Sequence, residues 1–262
     1  MPVKLGLILH LEKSIKIKEV YPKRVHALFF SILPEDISEK IHSQKSTKPF
    51  TICFEKFFRE NGENEVSKLK LKVTLLDDFL FPYFSQGVIL GEKKLYMGST
   101  AIRKKEILSI EHKSYEDLIG NTEENRDFLF YFKTPTTFKK GSSDYPLPEP
   151  VLIFKNLLKK WNKFSPFKIE ISTKELLKLL QIGGVWIKTR KFSLLPNGKT
   201  IGFYGRVFIN VRTEKKETLR KLNILFNFSS FSGIGRKTTM GMGNVELPSS
   251  TFQDTNGKRL ED

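Results

Sequence analysis

Lys23-Arg-Val-His-Ala-Leu-Phe-Phe-Ser-Ile32 carries Val25, Leu28, Phe29 and Ile32 at the i, i+3, i+4, i+7 spacing that puts four apolar side chains on one face of a helix. Just before it, Val3 to Leu11 is apolar enough, and short enough, to read as a strand. Pro34 cannot continue the helix, so a second, shorter one is expected from Glu35 or Asp36 to about His42, with Ile37 and Ile41 on its buried side. Pro49 to Phe57 is strand-like. The polar run Arg59-Glu-Asn-Gly-Glu-Asn-Glu-Val-Ser67 is expected to be a loop or a disordered tip, and Lys70, Lys72 and Thr74 then alternate with Leu71, Val73 and Leu75 along a further strand. A helix over Asp78 to Leu90 and an extended pair across Lys94 to Glu111 complete a strand, helix, two strands, helix, strand order.

A similar order begins again near Arg126. Phe128 to Phe132 is an aromatic strand, followed by a connection rich in Pro, Gly and Ser at 134–137 and 141–150. A long helix comes next, with Val151, Phe154, Leu157, Leu158 and Trp161 as its buried stripe and Lys155, Lys159, Lys160 and Lys163 as a basic flank. Gly184 to Phe192 and Gly202 to Val211 are read as strands of a hairpin turning at Pro196-Asn197-Gly198, Leu219 to Phe228 as an amphipathic helix, and Asn244 to Leu247 as a last short strand. The expected fold class is α+β, with two tandem ferredoxin-like (RRM-like) domains and a glycine-rich loop near the C-terminus. The domains are expected at 1–120 and 121–262, with the boundary inside residues 112–127.

Composition narrows the function. The chain has 262 residues, of which 39% are hydrophobic and 23 are Phe, enough apolar mass for packed cores. Its 45 Lys and Arg against 29 Asp and Glu leave a net charge of +16, so the surface attracts polyanions, nucleic acid first among them. No apolar run approaches the length of a membrane span and no signal-peptide pattern opens the chain, so a cytoplasmic protein with no membrane partner is expected. The single Cys53 excludes an internal disulfide and a CxxC knuckle, and the histidines at 10, 26, 42 and 112 lack metal-ligand spacing, so neither a metal site nor a cofactor is expected.

The most specific stretch is Phe231-Ser-Gly-Ile-Gly-Arg-Lys-Thr-Thr-Met-Gly-Met-Gly243, between a helix and a strand. Glycines admit positive φ and close approach of backbone to phosphate, and Arg236 and Lys237 add fixed charge. The Gly-Lys-Ser/Thr ending of a Walker loop is absent, and so is the strand, loop, helix order of a dinucleotide site. A second basic group is expected on one face of a strand, where Lys188 and Arg190 alternate with Ile187 and Thr189 beside Trp186, with Arg206 on the next strand; cations with an aromatic can hold a phosphate chain and stack a base.

The glycine stretch resembles, at nearly every position, the C-terminal glycine-rich loop of the CRISPR repeat endoribonucleases, the Cas-six family of repeat-associated proteins. Val25-His-Ala-Leu-Phe-Phe, Ile41-His-Ser-Gln-Lys-Ser-Thr-Lys-Pro-Phe-Thr-Ile, Tyr145-Pro-Leu-Pro-Glu-Pro and Gly202-Phe-Tyr-Gly-Arg-Val are similar to family patterns in the same order. The resemblance implies a metal-independent endoribonuclease that cuts CRISPR repeat RNA and leaves a 2′,3′-cyclic phosphate. It implies RNA contacts from Gly233, Gly235, Arg236, Lys237, Thr238 and Gly241. Family members use a histidine of the first domain. His42, off the Ile37/Ile41 stripe, is the expected acid or base, and its spacing to Lys48 resembles a pair used in the family, whose ammonium would stabilise the phosphorane. The general base has no clear local match; Tyr21 is a substitute. His26 borders the apolar stripe and is expected to be structural, and His10 and His112 receive no role. The resemblance also leaves open a non-cleaving RNA-binding subunit of a CRISPR effector complex, and homodimerisation.

Overall fold

The computed structural model describes residues 1–248, except 45, 46, 60, 61, 92, 121 and 195–197. The first half is built from β1 (Val3–Lys16), α1 (Pro22–Ile32), α2 (Glu35–Ser43), β2 (Phe50–Arg59), β3 (Gly62–Leu75), α3 (Leu80–Ile89), β4 (Tyr96–Met97) and β5 (Thr100–His112). Its sheet is antiparallel in the order β2-β3-β1-β5-β4. Leaving aside the two-residue β4, the last strand and the third flank the first, which is the ferredoxin-like arrangement. Val3, Leu5, Leu7 and Leu9 of β1 point to one face and bury against Val25, Leu28 and Phe29 of α1 and Leu80 and Phe84 of α3. Pro22 opens α1 at its first position, where a missing N–H is harmless.

The second half repeats the plan with β6 (Asp127–Thr136), α5 (Pro150–Phe164), β9 (Leu180–Ser193), β10 (Lys199–Val211), α7 (Lys216–Ser232) and β11 (Val245–Glu246), its sheet running β11-β6-β10-β9. Around that plan lie α4 (Tyr115–Gly120), the hairpin β7 (Phe138–Lys140) and β8 (Ser143–Tyr145), and α6 (Thr173–Leu179). Phe128, Phe130 and Phe132 of β6 bury against Phe154, Leu157 and Trp161 of α5 and Leu222, Leu225 and Phe228 of α7. Trp161 is fully buried and satisfies its indole N–H on the Phe167 carbonyl at 2.7 Å; each such large side chain contributes about 1.5–3 kcal/mol. Among the described residues no helix is long and apolar enough to cross a membrane.

The two halves are sewn together. Tyr115 of α4 packs edge-on against Trp161 in the second core, and its hydroxyl donates to the Leu76 carbonyl at the end of β3, 2.8 Å away. Lys72 of β3 lies 3.4 Å from Glu246 of β11, Lys163 of α5 donates to the Thr47 carbonyl, and the Lys4 ammonium sits over the Phe231 ring.

Several sequence expectations are corrected. The polar run 59–67 is mostly strand: β2 ends at Arg59 and β3 begins at Gly62, because buried Val66 pairs with β1 and β2 and cross-strand bonding outweighs the polar composition. The connection after Phe132 holds the rest of β6 and the β7–β8 hairpin. The helices α4 and α6 had not been expected. The latter starts with the Ser172 hydroxyl accepting from the Glu175 N–H, a start signal legible in Ser-Thr-Lys-Glu. Lys160 is not part of a solvated basic flank, since it lies in the buried stripe of α5, three residues after Leu157. The hairpin turn at 196–198 falls mainly outside the described residues.

Candidate active site and glycine loop

His42 is exposed in the last turn of α2, as its place off the apolar stripe requires. Its ring meets the Phe30 ring edge-on at 5.5 Å, and the other side of the Phe30 contact is His26, 4.9 Å away. Phe50, at the start of β2, also packs on His26. Two imidazoles from α1 and α2 thus share one aromatic spacer, a proximity that their separation by 16 positions along the chain does not reveal. Burial, and after it the electrostatic influence of the neighbouring His42 and Lys48, pushes the His26 pKa down to about 4, so this imidazole is neutral at pH 7.

Lys48 does not reach out as a free point charge. Its ammonium donates to the carbonyls of Ile41, His42 and Gln44 at 2.6, 2.9 and 2.6 Å, using all three of its hydrogens to close the C-terminal end of α2. Partial burial, and Lys163 reaching over from α5, hold its pKa below the usual lysine value. Tyr21 is the N-cap residue of α1, five positions before His26, with its ring against the Arg24 guanidinium.

The glycine loop begins where α7 ends. Gly233 takes φ +60, Gly235 +86, Gly241 +86 and Gly243 +68, and Lys237 itself is left-handed at φ +58. The loop is tied to itself and to its neighbours: Ile234 N–H donates to the Gly243 carbonyl, Arg236 N–H to the Thr137 carbonyl, Gly243 N–H to the Pro135 carbonyl and Gly235 N–H to the Asn156 side chain, while the Gly233, Met240 and Met242 amides bond to Ser229 and Lys237 carbonyls. Most of its amides are therefore committed to its shape, which leaves the Arg236, Lys237 and Thr238 side chains as its reach toward a ligand. Arg236 is braced by an ion pair with Asp144 of β8. The turn Thr238–Met240 seats on β2 and α1, the two elements that hold Phe50 and His26. A methyl on Gly241 would lie 3.0 Å from the Phe54 ring of β2, so glycine here permits the close docking.

On β9 the expected basic face forms. Trp186, Lys188 and Arg190 lie opposite Arg206, Tyr204 and Gly202 of β10, and the Arg206 guanidinium stacks over the Trp186 ring at 5.4 Å. Lys188, Arg190 and Trp186 are exposed, on the edge strand of the sheet. His10 lies 3.2 Å from Glu106 across the β1–β5 pair, a contact with no link to the histidine cluster.

Two ferredoxin-like units, with a glycine loop of the second seated on the first, define a tandem ferredoxin-like protein. A family model, CRISPR-associated endoribonuclease Cas6, matches residues 130–245. A CRISPR-associated endoribonuclease Cas6 of Streptococcus thermophilus is 30% identical over an alignment of 175 residues that covers 60% of this chain and 70% of that protein. Among solved structures, a Cas6 product complex superposes with a TM-score of 0.79 at 27% identity, covering 95% of this chain and 99% of that one. Cas6 of Thermus thermophilus superposes at 0.69 and 26% identity, covering 94% and 97%. The chain belongs to the Cas6 family.

Proposed function

We propose that this protein is an endoribonuclease that cuts CRISPR repeat RNA within precursor transcripts, and that it needs no metal because the attacking oxygen belongs to the substrate. The relatives support the reaction class, being Cas6 endoribonucleases, and one of the similar structures is a Cas6 product complex. The observation that carries the proposal is the docking of the glycine loop's turn on α1 and β2, the elements that hold His26 and Phe50.

In the proposed step the 2′-oxygen loses its proton to solvent and attacks the adjacent phosphorus, and the bond from phosphorus to the 5′-oxygen breaks. His42 gives its proton to the departing 5′-oxygen, leaving a 5′-hydroxyl on one product and a 2′,3′-cyclic phosphate on the other. Lys48, its hydrogens engaged, acts by fixing the end of α2 and by its positive field at the phosphorane. Arg236, Lys237 and Thr238 contact RNA phosphate, with Gly233, Gly235 and Gly241 shaping the loop around them. Lys188, Arg190 and Arg206 hold backbone while Trp186 stacks a base. The division at residues 112–127 is part of the proposal, with the histidine cluster in the first domain and the loop in the second.

The test is cleavage of a labelled repeat RNA in EDTA. Discrete fragments ending in cyclic phosphate are expected; tight binding without cutting would replace the proposal with a non-cleaving guide-RNA binder.

A further inference from the structure

Helix α5 grips the glycine loop from beneath. Asn156 and Lys160 are four residues apart and so share one face of the helix, one above the other. The Lys160 ammonium donates to the carbonyls of Ser232 and Gly233 at 2.8 and 2.9 Å, the acceptors left over where α7 stops. One turn earlier the Asn156 side-chain oxygen accepts from the Gly235 N–H at 2.9 Å. Donor and acceptor together bracket residues 232–235, immediately before Arg236 and Lys237, and they do so around two glycines at positive φ that by themselves allow many paths. Lys160 is almost fully buried. A charge is costly in such a place without good partners, and an apolar side chain of similar size would fill the space without that cost, so what the lysine supplies is the pair of bonds at the loop's root.

We propose that Asn156 and Lys160 are positioning residues for RNA binding: they lock residues 232–235 into the path that presents Arg236, Lys237 and Thr238 to phosphate, so the grip on RNA is set from inside α5. This rests on the reading of the loop as an RNA contact. Neither side chain needs to touch RNA. The lock predicts that a loosened root costs affinity while leaving the chemical step intact once RNA is bound.

The experiment uses the full chain with Asn156→Ala, Asn156→Asp and Lys160→Met. It measures hydrogen exchange at amides 233–243 in the RNA-free protein, the Kd for a repeat RNA, and the single-turnover rate at saturating protein. Asn156→Ala is expected to raise loop exchange and weaken binding roughly tenfold, about the worth of one lost hydrogen bond, with the saturated rate within about twofold of wild type. Asn156→Asp keeps the acceptor and is expected to restore both. Lys160→Met is expected to loosen the loop further; should it fail to fold, the Asn156 pair decides the matter alone. Unchanged exchange in Asn156→Ala would overturn the lock itself. Raised exchange with unchanged affinity would overturn the RNA role and, with it, the reading of the loop as an RNA contact. A lowered Tm with both unchanged would leave only an ordinary structural bond.

Discussion

His42 and His26 touch the same phenylalanine and are opposites in environment, one exposed and one buried enough to stay neutral. Under the proposed function, His42→Ala should lower the single-turnover rate by roughly 10²–10⁴-fold, the usual contribution of a positioned acid or base, with the RNA Kd nearly unchanged. A wild-type rate in that variant would remove His42 from the reaction. His26 makes a separate prediction about stability. The unfolded imidazole titrates near 6.5 and the folded one near 4, so between those values the unfolded chain binds more protons and stability falls as the pH drops through that window. Urea midpoints at pH 7 and pH 4.5 should show the fall, and His26→Phe, which keeps a ring among Phe30 and Phe50, should lessen it. The position of His42 was legible in the sequence because a residue off the apolar stripe at a helix end has nowhere to go but outward. The neighbourhood of the two histidines was not, since it depends on the angle at which α2 folds back over α1.

At the level of elements, the loop is a rigid connection with a charged tip. Replacing Arg236 and Lys237 together by alanine should weaken RNA binding and lessen its salt dependence while the protein stays folded; unchanged affinity would take the loop out of the interface. Gly235→Ala should be severe for another reason. The residue sits at φ +86, and a methyl there would lie 2.6 Å from the Thr137 carbonyl, a strain of about 2 kcal/mol or more that calorimetry would register as a lowered Tm. Lys160 gives this region a pH signature. Burial pushes its pKa down to about 7 against about 10.5 in the unfolded chain, so folding releases its proton between those values and stability should rise from pH 7 toward pH 10. Lys160→Met should flatten that rise. The order of strands and helices could be read because apolar periodicity carried it. The continuation of the β2–β3 hairpin through a polar run could not, because ladder pairing leaves no mark on composition, and Lys160 reads as part of a solvated flank because the acceptors that let a lysine lie in an apolar stripe are 72 and 73 positions away.

The whole molecule carries a net charge of +16 and places the basic face of β9 and β10 and the loop cations in the second half, with the histidine cluster in the first. RNA affinity should therefore fall linearly on a log-log plot against salt, with a slope reporting several phosphate contacts; an affinity indifferent to salt would contradict phosphate binding as its source. A repeat RNA with a single 2′-deoxyribose at the scissile nucleotide should bind normally and resist cutting, since it lacks the proposed nucleophile. The seam between the halves has a consequence of a different kind. A turn of the second half seats on a strand of the first, a buried tyrosine hydroxyl bonds across the join, and Lys72 and Lys163 cross it as well. The second core counts Leu76, just past the end of β3, among its own buried residues. In calorimetric terms the protein should possess two cores and one melting unit: a single heat-absorption peak whose van't Hoff and calorimetric enthalpies agree.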